Sequence, residues 1–360
     1  MGKFKKTLQH RVTIKDIAAM AGVSNGTVDR VLHHRGEVNL DTHERVMSFV
    51  DKLGYKPNLL AKSLAMKKNF FIAVLIPEAG NVNQYWKEPF EGFTRASEEL
   101  NDYSTRIEFF NYDLAEERSF ISSFNRVLAS RPDGVIMAPN FHDAALRMIP
   151  RCKEQNIPFM FIDNNLEGQS LAYFGQDALQ SGIVAARLMC YGIREDATVL
   201  VLNIARNKAI TRHMEHRASG FTGYISGQTS MQRIDIVTAS IDLAQEGEPD
   251  KTLKKLISKH KDVKGIFVTN SRVHRVASAL SSLKNLMLIG YDLTDDNIRL
   301  MEEGIINVLI CQKPADQGYK SAMAMFDFLL TGKLTGKINF SPIDIIIKEN
   351  INYYRNINHT

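Results

Sequence analysis

The chain has only three cysteines in 360 residues, and Cys152, Cys190 and Cys311 are scattered, odd in number and without metal-ligand spacing. That excludes a disulfide framework and a thiolate metal site, and suits small buried hydrophobes in a reducing cytoplasm. No run of about 18 apolar residues exists, so no membrane-spanning helix is expected. The basic start, "MGKFKKTLQHRVT", leads into polar residues, so a secretory signal is not expected either. No Gly-rich phosphate loop, nucleophile elbow or supported Cys-His pair occurs; the chain does not read as an enzyme and no cofactor is implied. His213 and His216 in "RHMEHR" lack a third metal ligand and read as a solvated or interlobe face. There is no internal repeat and no low-complexity segment. An apolar content of 44% with 24% charged residues is that of a soluble globular protein long enough for two or three domains.

Charge is unevenly spread. Residues 1–68 hold 13 Lys and Arg against 6 Asp and Glu, while the remainder hold 32 against 34. The whole basic excess lies in the first fifth of the chain, which suggests a nucleic-acid-binding module joined to a nearly neutral one. The later "KKLISKHKDVKG" reads as an exposed basic helix end.

The basic segment reads as three short helices. Thr13 and Asp16 form a Thr-x-x-Asp cap, and Ile17, Ala18 and Ala21 share one face. "AGVS" interrupts the helix: Gly22 tolerates a left-handed turn and Ser24 can cap the second helix. Val28, Val31 and Leu32 then repeat at helical spacing. Asn39 or Asp41 can start a third helix with Val46, Phe49, Val50 and Leu53 on one face, stopped by Gly54. Two helices joined by a tight Gly-containing turn, closed by a third, make a helix-turn-helix. Pro57 ends the unit. "NLLAKSLAMKKN" beyond it is too short to be a stable helix alone.

From Phe70 onward short apolar runs such as "FFIAVLIP", "DGVIMAP", "PFMFID", "ATVLVLN", "GIFVTN" and "NLMLIGYD" alternate with amphipathic stretches of helical length. This predicts α/β structure with doubly wound parallel sheets, in more units than one sheet needs, hence two lobes. Ligands of such sheets bind beyond the strands' carboxyl ends, where Asn140, Asp163, Asn164, Asn203, Asn270 and Asp292 fall.

"VTIKDIAAMAGVSNGTVDRVL" followed by "LGYKPNLLAKSLA" resembles the N-terminal signature of the lactose-repressor (LacI/GalR) family over about 55 residues. The rest resembles, more loosely, that family's effector domain, which has the fold of periplasmic sugar-binding proteins. The resemblance implies a DNA-binding domain over 1–56, a hinge helix over 57–69 and a two-lobed effector and dimerisation domain over 70–360. Lobe 1 would take about 70–174 and 306–336, and lobe 2 about 175–305 and 337–360. It further implies a bacterial, cytoplasmic, nucleoid-associated homodimer on double-stranded operator DNA, its second helix in the major groove. Asn25, Gly26, Asp29 and Arg30 would face bases or nearby phosphates, with Arg30 suited to a guanine and Asn25 to an adenine. Thr13, Ser24, Thr27 and Asn39 suit phosphates, although plain helix capping explains them equally. His33, His34 and Arg35 would meet backbone phosphate. Asp29 stands where relatives have a small hydroxyl residue; it can pair with Arg30 or accept from a cytosine amine. In the hinge Asn58 and Leu64 match, and Leu64 holds the position of a minor-groove leucine wedge.

For the effector, the matching positions are Tyr85 and Trp86 as stacking aromatics, Asn140, Asp163 and Asn164, then Arg217, Asn270, Asp292 and Gln312. Asn164 and Ser271 depart from the family pattern. An Arg, two Asp and several amides favour a neutral polyhydroxylated effector, a mono- or disaccharide or related polyol, over a purine or phosphate. The same architecture answering to a purine, and a sugar receptor without DNA function, are the alternatives.

Overall fold

A computed structural model describes residues 12–33, 36, 38–53, 68–80, 83–166, 168–206, 211–227, 233–243, 248–260, 262–279, 286–334 and 336–357. The chain divides into two compact units, residues 1–66 and 67–360.

The first unit holds three helices, α1 (Ile14–Ala21), α2 (Asn25–His33) and α3 (Leu40–Lys52). Thr13 caps α1 reciprocally: its hydroxyl accepts from the Asp16 amide while Asp16 accepts from the Thr13 amide at 2.7 Å. Gly22 ends α1 at φ 64°, a left-handed position where a side chain would be strained. Ser24 Oγ then accepts from the Thr27 amide at 3.1 Å, and Asn39 Oδ1 from that of Asp41 at 3.0 Å. Ile17, Ala18, Ala21, Val28, Val31 and Val46 are buried together, with Phe49, Val50 and Leu53 packed around them. A core this small is held by apolar faces at 3.6-residue spacing, as the sequence predicts.

In the second unit the described strands fall into two six-stranded sheets. The first runs β11-β5-β4-β3-β1-β2, with β1 Phe70–Pro77, β2 Thr105–Tyr112, β3 Gly134–Met137, β4 Phe159–Ile162, β5 Tyr173–Gly175 and β11 Ile338–Phe340, every pairing parallel. The second runs β12-β10-β9-β8-β6-β7, with β6 Ala197–Ala205, β7 Ile234–Asp242, β8 Val263–Val268, β9 Met287–Tyr291, β10 Val308–Cys311 and β12 Asp344–Ile346; only β10–β12 is antiparallel. β1, β3, β4 and β6 are buried throughout, as strands covered by helices on both faces must be.

These pairings move two lobe boundaries from those expected on sequence. β10 pairs with β9 and belongs to the second lobe, whereas the sequence boundaries put 306–336 in the first. β11 pairs with β5 and belongs to the first, whereas they put 337–360 in the second. Strands of three or four residues carry no pattern that selects a sheet; their pairing partner decides. The chain therefore crosses between lobes at 176–177, 312–313 and 341–343. Gln176 ties the crossings together, its Nε2 donating to the carbonyls of Cys311 at 3.1 Å and Pro342 at 3.2 Å.

Candidate functional site

In the first unit, α2 turns Val28 and Val31 into the core, which leaves Asn25, Gly26 and Arg30 exposed and Asp29 half-buried on the opposite side. Thr13, Ser24 and Asn39 lie at helix starts, as does Thr27, and their capping bonds use hydroxyl and amide groups but leave the side chains reachable from solvent. A Cβ on Gly26 would meet only Ser24 Oγ, at 3.8 Å, so the helix surface is open there. Asn58 and Leu64, with the hinge 57–69 up to residue 67, lie outside the described residues, as do His34, Arg35 and the side chain of His33.

In the second unit a cleft of about 200 Å³ opens between the lobes, at the strand ends. Tyr85, Trp86, Asn140, Asp163, Arg217, Asn270, Asp292 and Gln312 all line it. Asn164 does not. It faces a neighbouring recess that shares Asn140 and Thr211 with the cleft. Asp163 and Asp292 occupy equivalent places, one residue past β4 and one past β9, both with left-handed backbone at φ 67° and 65°. Aspartate tolerates that region better than most residues, and the bend aims each carboxylate across the strand ends.

Around Asp163, Tyr85 Oη donates to Oδ1 at 2.9 Å and Asn164 Nδ2 to Oδ2 at 2.9 Å. Asn140 accepts from Asn164 Nδ2 and donates to Tyr112 Oη at 2.8 Å. Around Asp292, Gln312 Nε2 donates to Oδ1 at 3.1 Å. Arg217 lines the same cleft, only 2% exposed, its guanidinium 3.7 Å over the Tyr291 ring. Arg217 Nη1 donates to the Thr269 carbonyl at 2.9 Å, and Nη2 to Gln312 Oε1 at 3.4 Å. Its Nε is buried and has no protein acceptor among the described residues. Two glycines bring Arg217 in: a Cβ at Gly182 would collide with the Arg217 carbonyl, and one at Gly220 with that of Leu179. The helices Ala178–Gly192 and Arg212–Ser226 can thus pack backbone to backbone.

Burial raises both carboxyls, Asp163 to about 6 against the Tyr85 bond and Arg217, and Asp292 to about 7 against Arg217 and the Gln312 bond. Burial, then the Asp163 and Asp292 charges, holds the Tyr85 phenol protonated. A pair of buried carboxylates sharing a cleft with one guanidinium is a set of acceptors and donors suited to vicinal hydroxyls.

Trp86 is 3% exposed and meets Tyr85 edge to face at 5.2 Å, so its indole is largely committed to the protein. Phe141, unforeseen in the sequence, adds an aromatic surface to the cleft. His213, read from the sequence as a solvated or interlobe face, takes the second of those places and lines the cleft. It belongs to the second lobe and donates from Nδ1 to Asn164 Oδ1 of the first at 2.6 Å. Burial, Arg217, Arg272 and His216 all pull its pKa well below the usual value, so the ring is neutral. His216 is exposed, and among the described residues no group of three or more His, Cys, Asp or Glu gathers as a metal site. The lobes meet again where Gln84 Oε1 accepts from the Asp295 amide at 3.1 Å.

Residues 72–334 match the family model for a periplasmic binding protein domain, and residues 13–58 that for bacterial regulatory proteins of the lacI family. The chain is 29% identical over 290 residues to the ribose operon repressor of Bacillus subtilis (strain 168), covering 78% of this chain and 81% of that one. It is 26% identical over 281 residues to the HTH-type transcriptional regulator IdnR of Escherichia coli (strain K12), covering 77% and 79%. A crystal structure assigned to a LacI transcriptional regulator from Bacteroides fragilis superposes with a TM-score of 0.73 at 28% identity, over 80% of this chain and all of that one.

Proposed function

The chain belongs to the LacI family of bacterial regulatory proteins, a DNA-binding helix-turn-helix joined to a periplasmic-binding-protein domain, and from that premise we propose that it works as a cytoplasmic homodimer. Two heads bind a pseudo-palindromic operator, and a small polyhydroxylated effector in the interlobe cleft controls their affinity. Arg30 and Asn25 read base edges in the major groove, with Asp29 and Gly26 beside them. Thr13, Ser24, Thr27 and Asn39 hold phosphates. Asn58 and Leu64 act in the hinge, where Leu64 supplies the minor-groove wedge.

The effector is held by Asp163, Asp292 and Arg217, with Asn140, Asn270 and Gln312 completing the polar lining and Tyr85, Trp86 and Phe141 the apolar one. The observation that carries this reading is the pair of buried carboxylates, one from each lobe, lining one cleft together with the buried Arg217. A cleft of about 200 Å³ is below the roughly 300–1,000 Å³ of drug-sized sites and suits a monosaccharide. Asn164 supports the wall rather than touching the ligand. Control of DNA requires the effector to bind the operator-bound and free forms with different affinity.

A thermal-shift screen of the full chain against pentoses, hexoses, inositols and nucleobases tests the effector reading. Polyol hits with loss of response in Asp292→Asn support it; hits among nucleobases alone overturn it.

A further inference from the structure

The two walls of the cleft are unequally charged. The second lobe contributes Arg206, Arg217, Arg272 and Arg275 against one carboxylate, Asp292; the first lobe contributes Asp113 and Asp163. Arg217 lies in the field of Asp163 and Asp292, whose carboxyls its charge pulls down, although among the described residues no carboxylate forms an ion pair with it. The other three guanidiniums come from the loop after β6 and from the segment after β8, and among the described residues none has a carboxylate within ion-pairing distance. Arg206 and Arg275 are exposed at the cleft, where a solvated cation costs nothing. Arg272 differs. It is half-buried, and its guanidinium donates from Nη1 to the Ile204 carbonyl at 3.3 Å, a neutral acceptor. Burial and the neighbouring Arg275 both depress its pKa, the response of a cation lacking a counter-charge. Its backbone is pinned, the Arg272 amide donating to Asn270 Oδ1 at 3.1 Å, and Asn270 itself lines the cleft.

We propose that the effector is an anionic monosaccharide, its hydroxyls held by Asp163, Asp292 and Arg217 and its carboxylate or phosphate seated on Arg272 with Arg206 and Arg275. This rests on the polyol reading and changes one part of it, because a neutral ligand follows only when Arg217 is the sole cation considered. A guanidinium binds either oxyanion through paired N–H donors, so the chemistry is common to sugar acids and sugar phosphates. The exposed pair would also draw an anion toward the cleft before contact.

The test is calorimetric titration of the full chain with matched pairs: aldoses against their aldonates and uronates in one arm, and against their 6-phosphates in another. The acidic member should bind about 10-fold or more tighter than its neutral partner, with a preference that shrinks as salt rises. The arm that responds identifies carboxylate or phosphate. Arg272→Gln should collapse the ratio between the members of the pair, and Arg206→Gln, at an exposed position, should reduce it in a protein whose thermal midpoint is unchanged. Equal or tighter binding of neutral members, or a ratio that survives Arg272→Gln, overturns the anion seat and leaves the polyol reading standing. Binding of neither class overturns both.

Discussion

His213 Nδ1 and Asn164 Oδ1 lie 2.6 Å apart across the interlobe cleft, a direct bond between two lobes that three chain crossings join. An amide oxygen only accepts, so the proton is on Nδ1. The bond favours closure of the lobes on each other. A net worth of about 0.5–1.5 kcal/mol makes it a bias, not a lock. His213→Ala should therefore open the ligand-free protein, seen as a larger radius of gyration in solution scattering, and weaken effector affinity by roughly 2- to 10-fold. An unchanged radius would mean that other contacts hold the lobes together.

The cleft carboxyls make effector binding pH-dependent. Burial raises Asp163 and Asp292 to about 6 and about 7. Hydroxyl donors from a ligand stabilise the charged forms, so binding releases protons and affinity rises with pH up to about 7.5. His213, held neutral, pushes in the same direction, since protonation at low pH works against the closed cleft. Stability of the unliganded protein has the opposite sign. Carboxyls whose folded pKa is raised contribute stability below their unfolded value near 4, and it is lost as pH rises through 6 and 7. The thermal midpoint without effector should decline across pH 5–8, and Asp292→Asn should flatten both profiles. Affinity independent of pH over that range would rule the two carboxylates out as ligand groups.

Close packing at Gly182 and Gly220 places Arg217. Gly182→Ala must push the helix Arg212–Ser226 away from Ala178–Gly192, because the obstacle is the Arg217 carbonyl itself. Overpacking of this kind costs about 1–3 kcal/mol. The variant should melt lower and lose effector affinity together, whereas Gly223→Ala, with open space around it, should do neither.

At the DNA end, Arg30→Ala should cost roughly 1–3 kcal/mol of operator affinity and relax base preference at one position. Leu64→Ala should weaken specific binding far more than binding to random duplex. Gel-shift titrations on operator and scrambled DNA separate the two; an equal loss on both sequences removes the wedge.

The strand-end polar residues were legible because parallel strands put their last residues at one edge, and short apolar runs ending in Asn or Asp mark that edge. Asn140, Asp163, Asn270, Asp292 and Gln312 line the cleft for this reason, whereas Tyr85, Trp86 and Arg217 reach it from helices and only the family resemblance pointed to them; Asn203, inside β6 rather than at its end, does not line it. His213 was legible only as one of two alternatives, a solvated or an interlobe face. Its place depends on a helix of one lobe closing on a strand end of the other, and nothing in "RHMEHR" records that. Asn164 is the neighbour of Asp163, yet after the left-handed turn at Asp163 its side chain faces the adjoining recess rather than the cleft. The arginines at 206, 272 and 275 each look like an ordinary surface cation in sequence, and only the fold gathers them. The lobe membership of β10 and β11 was illegible because so few residues cannot specify a sheet.

Gln176 offers the most direct test of how the lobes communicate. It sits in the first crossing, is 3% exposed, and its Nε2 bonds the carbonyls of Cys311 and Pro342 at the other two. Gln176→Leu keeps the volume roughly and removes both bonds, leaving the buried Cys311 carbonyl without this donor at about 1–3 kcal/mol, while the Pro342 carbonyl, on an exposed residue, can turn to water. Reduced stability follows from that alone. The informative readout is the ratio of operator affinity with and without effector, because the crossings are where any lobe movement must be absorbed. If Gln176 sets their geometry, the ratio should move toward one even under conditions where the variant is fully folded. A variant that is less stable but shows the wild-type ratio would make Gln176 a structural tie with no part in coupling.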